Sequence, residues 1–416
     1  MKFNPFSPNS IVSTNLFAGR TDYVFKILGK LMQVQKGMPS SFFLYGERGI
    51  GKTALAKLIK SIAEDKDPEL GNLNFLTSYY SIEKNQSITA SLESGLNELT
   101  DKIPSSTLSI LGAKLGALLT NGKFSIGPFG VELKSIDDKI IAVRDQLISI
   151  LSNVIEAIKN TEEEKRKDGI FIIIDELDNV NNIDLCAQLF RGIITTLDVK
   201  GLGNISFLLI GYKSTLDKFF MADSSARRQF DPIRLGVMPN DEAMEVLIKG
   251  FKKVGITWDN EALSKKIFVT GGYPHSIQLL GHNLVEQDID NNIDNKDLDA
   301  AISNTAKELQ SKDFAEMYHF HGKVGNREKI LDALAFAAGP LSCKEIEKYA
   351  HVKYVSQYIS DLEKRGSISV DKESGKIYLH SHLFRMAIMS KIFNKIIEED
   401  YLSELFAIRV KSQETK

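Results

Sequence analysis

The sequence predicts an α/β protein: a parallel sheet wrapped by helices, then a helical segment, then a small module of three helices and a hairpin. Three observations carry this. Short apolar runs alternate with amphipathic stretches through the first half of the chain, the pattern of strands buried on both faces. Between about residues 239 and 310 the pattern is helical throughout, broken only at Gly271-Gly272-Tyr273-Pro274. The last segment repeats neither pattern.

Taken in order, residues 1–16 carry Asn4, Pro5, Pro8 and Asn9 and read as an extended leader. A helix over 21–35 sets Tyr23, Ile27, Leu28 and Leu31 on one side. Residues 41–45 (SFFLY) form a buried-type strand that stops at Gly46, and a helix with Ala54, Leu55, Leu58, Ile59 and Ile62 follows at once. A second strand covers about 73–82. Residues 85–168 are an insertion, mostly helical, in which 123–134 alternates around Gly127-Pro128-Phe129-Gly130 and predicts a hairpin. Its Phe124, Phe129 and Val131 either pack on a helix carrying Leu108, Leu111, Leu115 and Leu118 or project toward a partner. The charged run 162–168 is a solvated helix end. Strands follow at 170–174, 205–210 and about 232–235. Near the end, helices at 327–338, 342–350 and 354–365 precede two short strands, 367–370 and 376–379, on either side of a Gly-containing turn. Three helices and a hairpin make a winged helix.

Composition bounds the rest. At roughly 150 residues per domain, 416 residues predict two or three domains. Lys and Arg number 52 against 54 Asp and Glu, a net charge of −2, which argues against a strongly basic nucleic-acid scaffold. Cys186 and Cys343 are the only cysteines and form no CxxC pair, so a disulfide framework and a thiolate zinc site are excluded. No apolar run approaches the roughly 18 to 20 residues of a membrane span, and the start MKFNPFSPNS has no apolar core of a signal peptide. A cytoplasmic protein with no membrane association is expected.

The chemistry begins at Gly46-Glu47-Arg48-Gly49-Ile50-Gly51-Lys52-Thr53, which fits G-x-x-x-x-G-K-[ST] at each fixed position and opens the helix at Ala54. Its glycines let backbone N–H groups turn inward around phosphate oxygens, with the helix N-terminus behind them. Lys52 would meet the β- and γ-phosphates of ATP, and Thr53 would ligate Mg2+. The strand ending Ile170-Phe-Ile-Ile-Ile-Asp175-Glu176 supplies the expected acids. Asp175 would hold the metal's shell, and Glu176 would orient water or else stand as a surface carboxylate.

With these residues in place, the chain resembles the AAA+/STAND group of P-loop ATPases, and among them the origin-recognition-like and archaeal-type ATPases built as P-loop domain, helical lid and winged helix. Phe17-Ala-Gly-Arg20 is similar to the group's "F-x-G-R" segment near the adenine, and residues 46–53 and 170–176 to its two Walker motifs. Ser225-Ala-Arg-Arg-Gln-Phe230 resembles the box that carries an arginine finger, Thr270-Gly-Gly-Tyr-Pro274 the lid "G-G-x-P" motif, and residues 378–385 the ending of the winged helix. The resemblance implies a P-loop NTPase parallel-sheet core of AAA+ type over 1–238, an α-helical lid over 239–318 and a winged-helix domain over 319–416. It implies Arg20 and Pro274 beside the base, and Arg227 or Arg228 as a finger in an ATP-dependent homo-oligomer. Two arginines at a helix end also suit the macrodipole.

Two departures point to slow hydrolysis. The fourth strand ends Ile210-Gly211-Tyr212-Lys213 where relatives place Asn, Ser or Thr, the nearest hydroxyls being Ser214 and Thr215. After Pro274 stands His275 where initiator-type lids offer arginine. The pairs His319/His321 and His380/His382 lack a third ligand for a metal. From Arg327 onward 15 Lys and Arg face 13 Asp and Glu, a thin net of +2 for binding double-stranded DNA. Lys353, Tyr354, Ser356, Gln357, Ser360, Lys364 and Arg365 are the candidate contacts. The expected function is a slow, Mg2+-dependent ATPase switch coupled to a winged helix that meets DNA; the alternative is a signalling or defence ATPase whose output is ATP-dependent assembly with a partner protein.

Overall fold

The computed structural model describes residues 3–8, 18–65, 72–84, 88–103, 119–120, 123–124, 136–309, 314, 317–318, 325–337, 339–371 and 374–396. They fall into two compact units, residues 20–236 and residues 1–19 with 237–416.

The first unit runs α1 (Thr21–Gln35), β1 (Ser41–Tyr45), α2 (Lys52–Glu64), β2 (Leu76–Ser81), α3 (Ile88–Lys102), β3 (Leu119–Thr120), β4 (Lys123–Phe124), α4 (Ile136–Lys159), β5 (Ile170–Asp175), α5 (Ile183–Val199), β6 (Ile205–Gly211), α6 (Lys213–Ala222) and β7 (Phe230–Arg234). Five strands make one sheet in the order β2-β5-β6-β1-β7, every pair parallel. Phe42 to Leu44, Ile170 to Ile174 and Ile205 to Ile210 are buried along their whole length, because helices cover both faces of a parallel sheet. Each such side chain contributes roughly 1.5–3 kcal/mol through its burial. The register pairs Tyr45 with Gly211 and Ser81 with Asp175, so β1, β5 and β6 all end along one edge. That edge carries the site.

Of the hairpin expected around Gly127 to Gly130, only its first residues are described. Lys123–Phe124 pairs backward with Leu119–Thr120, so its partner precedes it; residues 104–118 and 125–135, with the expected Leu108 to Leu118 helix, Phe129 and Val131, lie outside the described residues.

The second unit holds α7 (Asn240–Val254), β8 (Thr257–Trp258), α8 (Asn260–Lys266), α9 (Pro274–Gln287), β9 (Asn292–Ile293), α10 (Asn295–Leu309), α11 (Asn326–Phe336), α12 (Cys343–Ala350), α13 (Ser356–Lys364), β10 (Ile368–Val370), β11 (Ile377–Leu379) and α14 (His382–Ile396). The stretch read as helical throughout contains a two-residue parallel pairing of β8 with β9, too short to leave a periodic signal. Ser342 caps α12, with Glu345 returning to the Ser342 N–H at 2.7 Å. β10 and β11 pair antiparallel, and Leu341 bridges to Ile377, giving the helix, helix, helix and hairpin order of a winged helix. Helix α14 buries Phe384, Met386, Ala387, Ile388 and Met389, so it is apolar on nearly every side and runs through the unit's core. Residues from Met238 to Leu309 and from Ile330 to Ile392 contribute to that one core.

The leader does more than extend. Phe6 is buried, its ring edge-on to Phe251 at 5.8 Å, in a slot between α7 and α9. A Cβ at Gly250 would come within 2.1 Å of the Phe6 ring, and one at Gly281 within 2.7 Å, so both glycines make room for it. Asn4 donates to His282 O at 3.0 Å, and Gln278 accepts from the Ser7 N–H at 3.1 Å.

Candidate nucleotide-binding site

The loop after β1 is shaped by positions where only glycine fits. A Cβ at Gly46 would meet Leu235 O at 2.5 Å. Gly49 and Gly51 hold φ of 77° and 95°, the left-handed region, and Gly51 caps α2 at Lys52. Ile50 is buried, whereas Glu47 and Arg48 are exposed and Ala54 is partly buried on the first turn of α2.

Lys52 folds back over the loop, its Nζ donating to Gly46 O and Glu47 O at 2.9 Å each and lying 4.9 Å from the centre of the Tyr212 ring. Burial lowers its pKa; the charges of Asp178, Asp175 and Glu176 work the other way and do not cancel the fall.

Asp175, at the end of β5, is 3% exposed. Its Oδ2 accepts from Thr53 Oγ1 at 2.6 Å and from Tyr79 OH at 2.7 Å; its Oδ1 accepts from the Glu176 N–H at 2.8 Å. Burial first, then the negative charge of Asp175, pushes the Tyr79 phenol far above its ordinary value. Glu176 turns into the left-handed region at φ 57°, a conformation costing about 1–2 kcal/mol for a residue with a Cβ. The chain turns away there and leaves its side chain exposed. Partial loss of solvent around its carboxyl raises the Glu176 pKa, and the charges of Asp175 and Asp178 add to the rise.

Asp178 closes the constellation. Its Oδ1 accepts from the Tyr212 N–H at 2.8 Å and from Thr215 Oγ1, which ties the loop after β5 to the end of β6. Thr215 is thus engaged, and the side chain at the end of β6 that faces the lysine is Tyr212. Neither Tyr79 nor Asp178 stands out in the sequence as a site residue. The only hint was a third acid in Asp175-Glu-Leu-Asp178; Tyr79 sits in a strand that reads as ordinary.

The other predicted residues divide. Arg20 belongs to this unit and is buried, its guanidinium donating to Gly236 O at 2.6 Å and Ile50 O at 3.4 Å. It therefore braces the loop from behind. Arg227 and Arg228 end a 3-10 turn (Ser224–Arg228) just before β7, exposed, with Arg227 over the Phe220 ring at 5.3 Å. Because Phe230 pairs with Ser41, they lie at the edge of the sheet opposite the loop. Pro274 and His275 open α9 in the second unit, where the His275 ring stands 5.6 Å from that of His382 and burial lowers its pKa. His382 also stacks on Tyr273 at 4.9 Å, and His380 bonds Ser369 at 3.0 Å. His319 and His321 lie outside the described residues.

A hydroxyl and a carboxylate oxygen 2.6 Å apart are hard donors of the kind that suit Mg2+, so the residues present fit that ion. Among the described residues no cluster of three or more His, Cys, Asp or Glu offers another metal site, and no helix is long and apolar enough to cross a membrane.

Residues 20–226 match the KAP family P-loop domain, and this part of the chain is a P-loop NTPase domain. Among solved structures the chain is similar to the ORC2 protein of Aeropyrum pernix in its ADP form, at 15% identity over 92% of this chain and 94% of that one, with a TM-score of 0.45. It is similar to a Walker-type ATPase of Pyrococcus abyssi at 14% identity over 87% and 94%, with a TM-score of 0.43. It is also similar to a Signal Transduction ATPase with Numerous Domains from Pyrococcus horikoshii at 14% identity over 95% and 48%, with a TM-score of 0.35. No curated protein matches the sequence.

Proposed function

We propose that this P-loop NTPase domain binds ATP with Mg2+ and hydrolyses it slowly, as a switch that sets the arrangement of a core (1–238), a helical lid (239–318) and a winged helix (319–416). The observation that carries the reading is the meeting of Lys52, Thr53 and Asp175 at one edge of the sheet, below a loop that only glycines can form.

In this reading the loop amides and the N-terminus of α2 cradle the phosphates. Lys52 exchanges the carbonyls of Gly46 and Glu47 for phosphate oxygens. Thr53 and Asp175 would hold Mg2+, whose charge offsets that of the β- and γ-phosphates. Glu176, exposed just past Asp175 and with a raised pKa, is placed to take a proton from attacking water. Slow turnover is supported by Thr215, whose hydroxyl is engaged by Asp178 instead of holding water. Arg227 and Arg228, on the far edge from their own loop, would serve the site of a neighbouring copy in an ATP-dependent homo-oligomer. Pro274 and His275 are assigned to the lid's contact with nucleotide.

Lys52→Ala tests this directly. Titration calorimetry is expected to show ATP affinity falling by about a hundredfold, since charge-assisted bonds to phosphate are lost. Unchanged affinity with an intact fold would defeat the proposal.

For the output, one observation favours assembly with a partner protein over DNA. Asp361 on α13 receives Arg327 at 2.7 Å and Arg365 at 3.1 Å, so two of the module's cations already face a carboxylate that phosphate must displace. Light scattering with and without ATP and duplex DNA separates the two. ATP-driven assembly without DNA supports the partner reading, whereas salt-dependent binding lost on changing Lys364 and Arg365 supports DNA.

A further inference from the structure

We propose that Tyr79 is a positioning residue for Asp175, holding the carboxylate in the orientation that the Mg2+ shell needs; this rests on the ATP and Mg2+ reading above. Asp175 has three donors, and they differ in what they can do. The Glu176 N–H is backbone and stays with Oδ1 whatever happens in the site. Thr53 donates to Oδ2 and is also the residue assigned to ligate the metal through its oxygen lone pairs, so its place is tied to the ion itself. Tyr79 is the side-chain donor on Oδ2, at 2.7 Å, that has no part in ligating the metal. A carboxylate this deeply buried without such a donor would leave Oδ2 less firmly oriented.

The phenol is fixed in place by the sheet. β2 runs parallel to β5 with Tyr79 opposite Ile173 and Ser81 opposite Asp175. Residues two apart on a strand share a face, so Tyr79 and Asp175 project on the same side and meet diagonally. That side is covered by α2, whose Lys57 ammonium lies 5.3 Å from the Tyr79 ring centre, one turn beyond Thr53. The Tyr79 backbone is anchored too. Its N–H donates to Glu98 of α3 at 2.8 Å, and Glu98 is paired with Lys102, which in turn reaches Glu64 and the Thr77 carbonyl. The hydroxyl therefore sits on a strand held on both sides, while Thr53 belongs to the first turn of α2, next to the ion it would ligate.

The test is Tyr79→Phe, which removes only the hydroxyl, with ATP affinity measured by calorimetry in Mg2+ and again in EDTA. A lost hydrogen bond to a charged acceptor predicts about a tenfold fall in affinity with Mg2+ and no change in EDTA. Mn2+ binding to the ATP complex, read by electron paramagnetic resonance, should weaken by the same factor, and the thermal midpoint of the protein without nucleotide should fall by only a few degrees, with the fold kept. Wild-type Mg2+ dependence in Tyr79→Phe overturns the proposal. Equal losses with and without Mg2+ overturn it as well, since they mark a structural role alone. Wild-type protein that gains no ATP affinity from Mg2+ would instead bring down the underlying ATP and Mg2+ reading, a result the Tyr79 variant cannot mimic.

Discussion

Asp175 and Asp361 are each met by two side-chain donors, yet they belong to opposite regimes. Asp175 is 3% exposed and bound by two hydroxyls from separate elements, whereas the Asp361 side chain is 39% exposed and shares two arginines with solvent. Burial, more than the number of partners, decides what a carboxylate contributes. In the interior an unmet donor cannot turn to water, while at the surface water replaces it at little cost.

The contrast can be pressed in order of effect. If burial dominates, the greatest loss of stability comes from a residue with no charge at all: Phe6→Ala empties the slot between Gly250 and Gly281 and is expected to destabilise the second unit by about 3 kcal/mol, read from urea unfolding. Next comes Asp175→Ala. It strands the Thr53 and Tyr79 hydroxyls, so a loss of about 2 kcal/mol is expected, together with loss of the Mg2+-dependent part of ATP affinity. Glu176→Gln sits between the regimes. ATP binding should persist while hydrolysis, followed by phosphate release, falls by about a hundredfold.

Glu176 also predicts a pH effect of definite sign. Its pKa is raised in the folded protein, which therefore holds this proton more tightly than the unfolded chain does. The stability it contributes at low pH is lost as pH rises from the ordinary carboxyl value through the raised one, and Glu176→Gln should lack that slope. The smallest effect belongs to Asp361→Ala, expected to change stability by less than about 0.5 kcal/mol. A large loss there would break the comparison outright.

Much of this was legible locally. The helix Thr21–Gln35 and the strand Ser41–Tyr45 emerge with the bounds their patterns predict, because each signal lies within a single element. Asp175 was legible as the acid after an all-apolar strand. Its phenolic partner was not, since Tyr79 lies 96 residues away and reaches it only through the register of β2 on β5. The same holds for the leader. Gly250 and Gly281 read as ordinary helix glycines until Phe6, far off in sequence, is found between them.

The chain alone determined the phosphate loop, the strand that ends in Asp175 and the order of helices α11 to α13 and the hairpin after them, because glycine geometry, apolar runs and turn chemistry act between near neighbours. Only the tertiary structure decided that Tyr79 guards Asp175, that Asp178 engages Thr215, that Arg20 braces the loop and that Arg227 and Arg228 face away from it. Those outcomes depend on which distant backbones come to lie side by side, and hydrogen bonds a few ångströms long exist only once they do.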